Sequence, residues 1–176
     1  MPPGPARRGP AWSSDGHTMS FAMEAEAGEA TPSQPGIYLF DFAQKRSSWI
    51  PGSGGLAGNA WSPDGRFLAA AAQDNSMMKL LDLRTHRWTE IAHGKAISFP
   101  VWSADSVLYF QDLLEPGVPV YRVRPGVSGP QRVYSFEDIL QVGAIRCAFL
   151  GFAPDGSLLV QASRGGGDVY ALTLGP

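Results

Sequence analysis

Apolar and polar positions in this chain follow one phrase that recurs four times: a large aromatic, a tight polar turn, an apolar run, then a second apolar run. The second copy is the clearest. Asn59-Ala60-Trp61 predicts a short first strand, and Ser62-Pro63-Asp64-Gly65 suits a type I turn in which Pro63 pre-sets φ. Arg66 to Ala72 is an almost unbroken apolar run, the pattern of a strand buried on both faces. Gln73 to Ser76 is a polar turn, Met78 to Leu83 a third strand, and Arg87 to Ile91 alternates as a half-exposed outer strand should.

The other copies share this order. Their turns read Trp12-Ser-Ser-Asp15-Gly16, Trp102-Ser-Ala-Asp105-Ser106 and Phe152-Ala-Pro154-Asp155-Gly156. The aromatics stand 49, 41 and 50 residues apart, a period that marks repeats stacked on their neighbours. Third strands align as Ile37–Phe42, Met78–Leu83, Val120–Arg124 and Val169–Leu174, and outer strands as Ser48–Ile50, Arg87–Ile91 and Gln131–Tyr134. Inner strands are apolar and outer strands polar, as the blades of a β-propeller require. The expected fold is all-β: about four blades of four-stranded antiparallel sheets, at roughly 9–56, 57–96, 97–143 and 144–174.

Some segments fall outside the phrase. Glu24–Pro35 predicts a long blade loop, and Pro51–Gly58 a linker between the first two blades. Ser135–Gln141 fits either a short helical turn capped by Ser135 or a strand. The fourth copy ends after its third strand, which leaves the last blade incomplete. Met1–Pro10, with four prolines, is a poor source of the missing strand. The chain therefore reads as part of a larger propeller or as an open array. An unpaired edge beside Val169–Leu174 would favour association.

Composition narrows the function. The chain has 176 residues, 44% of them hydrophobic and 17% charged, with a net charge of −2. That balance, with only Arg7-Arg8 as a basic pair near the start, argues against binding nucleic acid. No apolar run reaches the ~18 residues of a membrane span. Met1–Arg8 lacks the apolar core of a secretory signal. As written, the chain reads as cytoplasmic, or periplasmic if a signal lies upstream. The single cysteine, Cys147, excludes an internal disulfide and reads as a small buried hydrophobe.

Candidate chemistry is sparse. Asp15, Asp64, Asp105 and Asp155 recur one per turn, which suits turn hydrogen bonding better than a metal ring; Gly65 and Gly156 close two of these turns. Trp12, Trp61, Trp102 and Phe152 are expected to be aromatics of the blade core, with the tryptophans wedged between blades. Trp49 and Trp88 lie in outer strands. His17, His86 and His93 lack metal-ligand spacing. Gly52-Ser-Gly54-Gly55-Leu-Ala57 imitates a dinucleotide fingerprint but precedes a strand where that motif needs a helix. No serine sits in a nucleophile elbow. The reading is a protein with no catalytic, cofactor or metal residues, whose loops Glu24–Pro35 and Gln73–Ser76 contact a protein partner.

These turns and third strands resemble the TolB-type, WD-repeat-like propeller repeat. Trp61-Ser62-Pro63-Asp64-Gly65 matches its turn in full, while Ser14, Ser106, Phe152 and Ala153 depart from it. The resemblance runs from about Gly9 to Leu174 and implies the propeller fold, which hosts many unrelated activities; the leading reading is a non-enzymatic scaffold for protein–protein interaction or sensing, part of a larger bacterial protein. Asp168–Leu174 followed by Pro176 also resembles the C-terminus of bacterial regulators in which such a propeller follows a winged-helix DNA-binding domain. A propeller that gates a peptidase-like hydrolase is a further implied alternative.

Overall fold

The computed structural model describes residues 7–23, 34–127, 129–164 and 167–172. They form four antiparallel sheets, each built from strands consecutive in the chain. The first sheet contains β1 (Arg7–Trp12), β2 (Thr18–Met23), β3 (Gly36–Asp41) and β4 (Arg46–Trp49). The second contains β5 (Leu56–Trp61), β6 (Phe67–Ala72), β7 (Met77–Asp82) and β8 (Arg87–His93). The third contains β9 (Ile97–Trp102), β10 (Leu108–Asp112), β11 (Val120–Val123) and β12 (Gln131–Tyr134). A short helix α1 (Glu137–Gln141) leads into the fourth sheet, β13 (Arg146–Phe152), β14 (Leu158–Ser163) and β15 (Gly167–Leu172). The innermost strands β1, β5, β9 and β13 meet in succession, and the array does not close into a ring.

The core lies between the sheets. Side chains alternate across a strand, so an inner strand serves two cores at once. In β6, Leu68, Ala70 and Ala72 pack toward the first sheet with Ile37, Ile50 and Leu56. Ala69 and Ala71 pack toward the third sheet with Ile97, Leu108 and Phe110. The third core gathers Tyr109, Val120, Phe136, Cys147, Phe149, Leu158 and Val160 between the last two sheets. Cys147 is buried there, and burial pushes its thiol pKa up. The run of alanines in β6 lets two sheets approach one strand closely, which is why this segment has so little side-chain volume.

Three boundaries differ from the sequence reading. β1 begins at Arg7 and β5 at Leu56, because a bulge in each strand admits glycine where an unbroken ladder would not. The segment after Ser135 is helical, but its N-cap residue is Phe136; the Ser135 hydroxyl accepts the Glu137 N–H instead (3.3 Å). β1 pairs with β2, within its own blade. Residues 24–33 of the expected Glu24–Pro35 loop lie outside the described residues.

The recurring turn has one geometry. The fourth residue donates its N–H to the first carbonyl at 2.9 to 3.0 Å in all four copies. Its φ is positive: 72° at Gly16, 67° at Gly65, 58° at Ser106 and 85° at Gly156. Ser106 alone places a side chain in that strained region, which costs about 1 kcal/mol or more. Ser106→Gly is therefore expected to raise unfolding stability by about 0.5–1 kcal/mol in urea titration, the gain reduced by glycine's extra freedom in the unfolded chain.

Candidate binding groove

Every inner strand breaks its register near the middle. The shift falls between Arg8 and Ala11 in β1, between Ala57 and Asn59 in β5, and between Phe149 and Gly151 in β13. In β9, the residues between Ser98 and Val101 oppose Phe110 alone. A bulge sets two residues against one and re-aims side chains out of the sheet. The four bulges stand side by side and line a groove of about 610 Å³, with Gly9, Pro10, Gly58, Asn59, Pro100 and Leu150 in its wall. Ala71, Ala72, Gln73 and Asn75 complete it at the β6 end.

The wall is held from behind. Asn59 Nδ2 donates to the Gly9 carbonyl (3.0 Å), and Asn59 Oδ1 meets the buried Ser20 hydroxyl. Ser20 Oγ in turn accepts Trp61 Nε1–H (2.8 Å), which ties the first two blades together. On the far side, the Phe149 N–H donates to Gln111 Oε1 (2.7 Å), with Gln111 wholly buried. Gln111 Nε2 has no acceptor among the described residues. Leu150 stands 51% exposed in the groove. The described residues lining the groove are amide-bearing or apolar and none of them is ionisable, which suits an uncharged ligand.

The residues singled out in the sequence lie elsewhere. The four turns hang at the ends of the inner strands. Asp15 Oδ1 accepts from Ser13 Oγ (2.6 Å) and the His17 N–H (2.9 Å), and Asp64 Oδ1 from Ser62 Oγ (2.6 Å) and the Arg66 N–H (3.1 Å). Asp105 accepts from Ser103 Oγ and from Arg124, both at 2.6 Å, while Asp155 accepts the Ser157 N–H (2.9 Å). These bonds to the charged form lower all four carboxyl pKa values; the serine hydroxyl is the main cause at Asp15, Asp64 and Asp105, and the backbone N–H at Asp155. Among the described residues no group of three or more His, Cys, Asp or Glu side chains converges on a metal-sized site. His93 pairs with Glu90 on the exposed outer strand β8.

The aromatics divide three to one. Trp61 bonds to Ser20 in the preceding blade, and Trp102 Nε1 donates to the Ala60 carbonyl of the preceding blade (3.0 Å). Phe152 meets Tyr109 of the preceding blade edge-on at 4.9 Å. Trp12 departs from the expected wedge. It is 57% exposed and stacks at 4.8 Å on Phe42 of its own blade, because the described residues place no sheet on that flank.

Of the expected contact turn Gln73–Ser76, Gln73 and Asn75 reach the groove, whereas Asp74 is engaged by the Ser76 N–H and hydroxyl. The rest of the groove lies outside the contact residues that the sequence reading singles out. Its signal was Pro10, Gly58, Pro100 and Gly151 inside apolar runs, where such residues mark a bulge or a close approach. The glycine-rich stretch at Gly52 leads into strand β5, not a helix.

No family model and no curated protein matches this chain. Solved structures do. TolB from Acinetobacter baumannii is 20% identical with a TM-score of 0.65; the match covers 97% of this chain and 44% of that one. The β-propeller domain of the trilobed protease from Pyrococcus furiosus, described as having an open velcro topology, is 14% identical with a TM-score of 0.66, covering 98% of this chain and 56% of that one. A nidogen/laminin complex gives 11% and 0.67, covering 98% and 66%. At these identities the likeness shows the fold alone, and that fold is a β-propeller. This chain spans about half the length of the propeller structures it matches. A gluconolactonase and a prolyl endopeptidase are matched as well, so the fold is shared with enzymes.

Proposed function

We propose that this chain is a non-enzymatic propeller scaffold of the TolB-like kind, and that its axial groove binds an extended, uncharged stretch of a protein partner. The observation that carries this reading is the groove itself: four bulged inner strands, backbone exposed at the bulges, and a lining of amides and apolar side chains. Exposed strand backbone offers hydrogen bonds to an extended peptide, and the apolar wall supplies burial. One of the matched structures was solved as a nidogen/laminin complex, which agrees with a role in association. We further propose that additional blades complete the ring. Four blades matching 56% of a propeller domain correspond to a ring of about seven.

Peptides selected from a random displayed library against the purified chain test the groove. Bound sequences should be uncharged and extended. Leu150→Asp places a charge in the wall at a half-exposed position, and should weaken them about tenfold or more while leaving the unfolding midpoint unchanged. Charged consensus peptides, or affinity indifferent to this substitution, would sink the reading.

A further inference from the structure

The three blade interfaces inside the chain show what the exposed flank around Trp12 is built to meet. Strand register makes Met19 and Phe40 of the first blade equivalent to Leu68 and Leu81 of the second. In the later blades this row is sealed by the blade before it: Leu68, Leu81, Leu108 and Leu158 are each at most 1% exposed. In the first blade the same row, with Pro10, Phe21 and Phe42, lines an apolar recess of about 470 Å³. Trp12 is 57% and Phe42 41% exposed at its rim.

The opposite flank carries the complementary half. In the third blade, Tyr109 and Gln111 of β10 receive the fourth blade: Phe152 packs on Tyr109, and Gln111 accepts the Phe149 N–H. Strand β14 repeats β10, with Leu159 and Gln161 at those positions. Tyr109 is 7% and Gln111 0% exposed, whereas Leu159 is half-buried and Gln161 exposed. Among the described residues, one flank thus presents an aromatic wedge, Trp12, with no blade opposite it, and the other a socket of the same repeated interface, Leu159 and Gln161, with no blade against it.

We propose that the Trp12 flank takes the Leu159–Gln161 flank of a second copy of this chain, so that two copies close head to tail into one ring. The inference rests on the reading that further blades complete the ring, and it names their source. Each contact would be a fourth instance of the interface already built three times within the chain. A heterologous contact closes when the rotation per subunit allows it. Two copies supply eight blades, within the range of known propellers and near the curvature of about seven that the matched propeller domain implies.

Sedimentation equilibrium of the full 176-residue chain tests this. The expected mass is twice 18.8 kDa. Trp12→Glu and Gln161→Arg, both at exposed positions, should each weaken the dimer about tenfold or more. An equimolar mixture of the two variants should recover a dimer, because one interface in each mixed pair is then intact. A dimer untouched by either variant, or no recovery on mixing, would overturn the head-to-tail arrangement. A concentration-independent monomer would overturn the second copy as occupant. Acrylamide quenching, compared with Trp12→Phe, then separates the two readings. A quenchable Trp12 in that monomer leaves the open array standing, and a protected one removes it as well.

Discussion

Phe149→Ala is expected to lower unfolding stability by about 3–5 kcal/mol, the largest loss foreseen for a single side chain here. Phe149 is 1% exposed and reaches across the last interface, with ring centroids 6.1 Å from Tyr109 and 5.4 Å from Phe152. Truncation leaves a cavity between two sheets that other contacts hold apart, so relaxation can fill it only in part. The fourth blade is the one the cavity loosens, since its described sheet has three strands and one flanking sheet. Urea titration at fixed protein concentration reads the total, and hydrogen exchange should show protection lost first in β13 and β14. A loss below about 1 kcal/mol would mean that the two sheets collapse onto each other freely.

Asp112→Ala should cost about 3 kcal/mol, through a different cause. Asp112 is 4% exposed at the end of β10. Its carboxylate accepts the Lys95 N–H (2.8 Å), the Ala96 N–H (2.9 Å) and the Leu114 N–H (3.2 Å). The first two belong to the linker from the second blade to the third. A Cβ on Gly94 would stand 2.4 Å from Asp112 Oδ2, so the linker is folded directly onto this group. Alanine at position 112 leaves three part-buried N–H donors without their acceptor, the costly half of a broken hydrogen bond. Asp112→Asn keeps one acceptor oxygen and should lose roughly half as much in the same titration. Equal losses for the two variants would show that charge, not the count of acceptors, governs the site.

The blade pattern was legible because each strand's alternation is a local property. Met78–Leu83 and Arg87–Ile91 could be placed from side-chain period alone, and the structure puts β7 and β8 there within one or two residues. The turns were legible because Asp and Gly act on their immediate neighbours. The bulges were not. Pro10, Gly58, Pro100 and Gly151 signal an irregularity, but only the partner strand decides which residue is left over. The first expected strand of the second blade accordingly began at Asn59, where the ladder begins at Leu56 on the far side of Gly58.

Trp12 marks the boundary between the two kinds of information. It occupies the same place in the repeat as Trp61 and Trp102, and its local sequence asks for the same wedge. Whether a tryptophan is buried depends on what stands opposite it, and Trp12 faces outward from the first sheet. The amino-acid sequence by itself determined the repeat, the strand order within each blade and the turn chemistry, all of which follow from short-range periodicity and backbone preference. Tertiary structure decided the groove, the open flanks and the clasp at Asp112, because each joins residues from different blades, and burial and hydrogen-bond partnership across sheets are set only when the sheets pack.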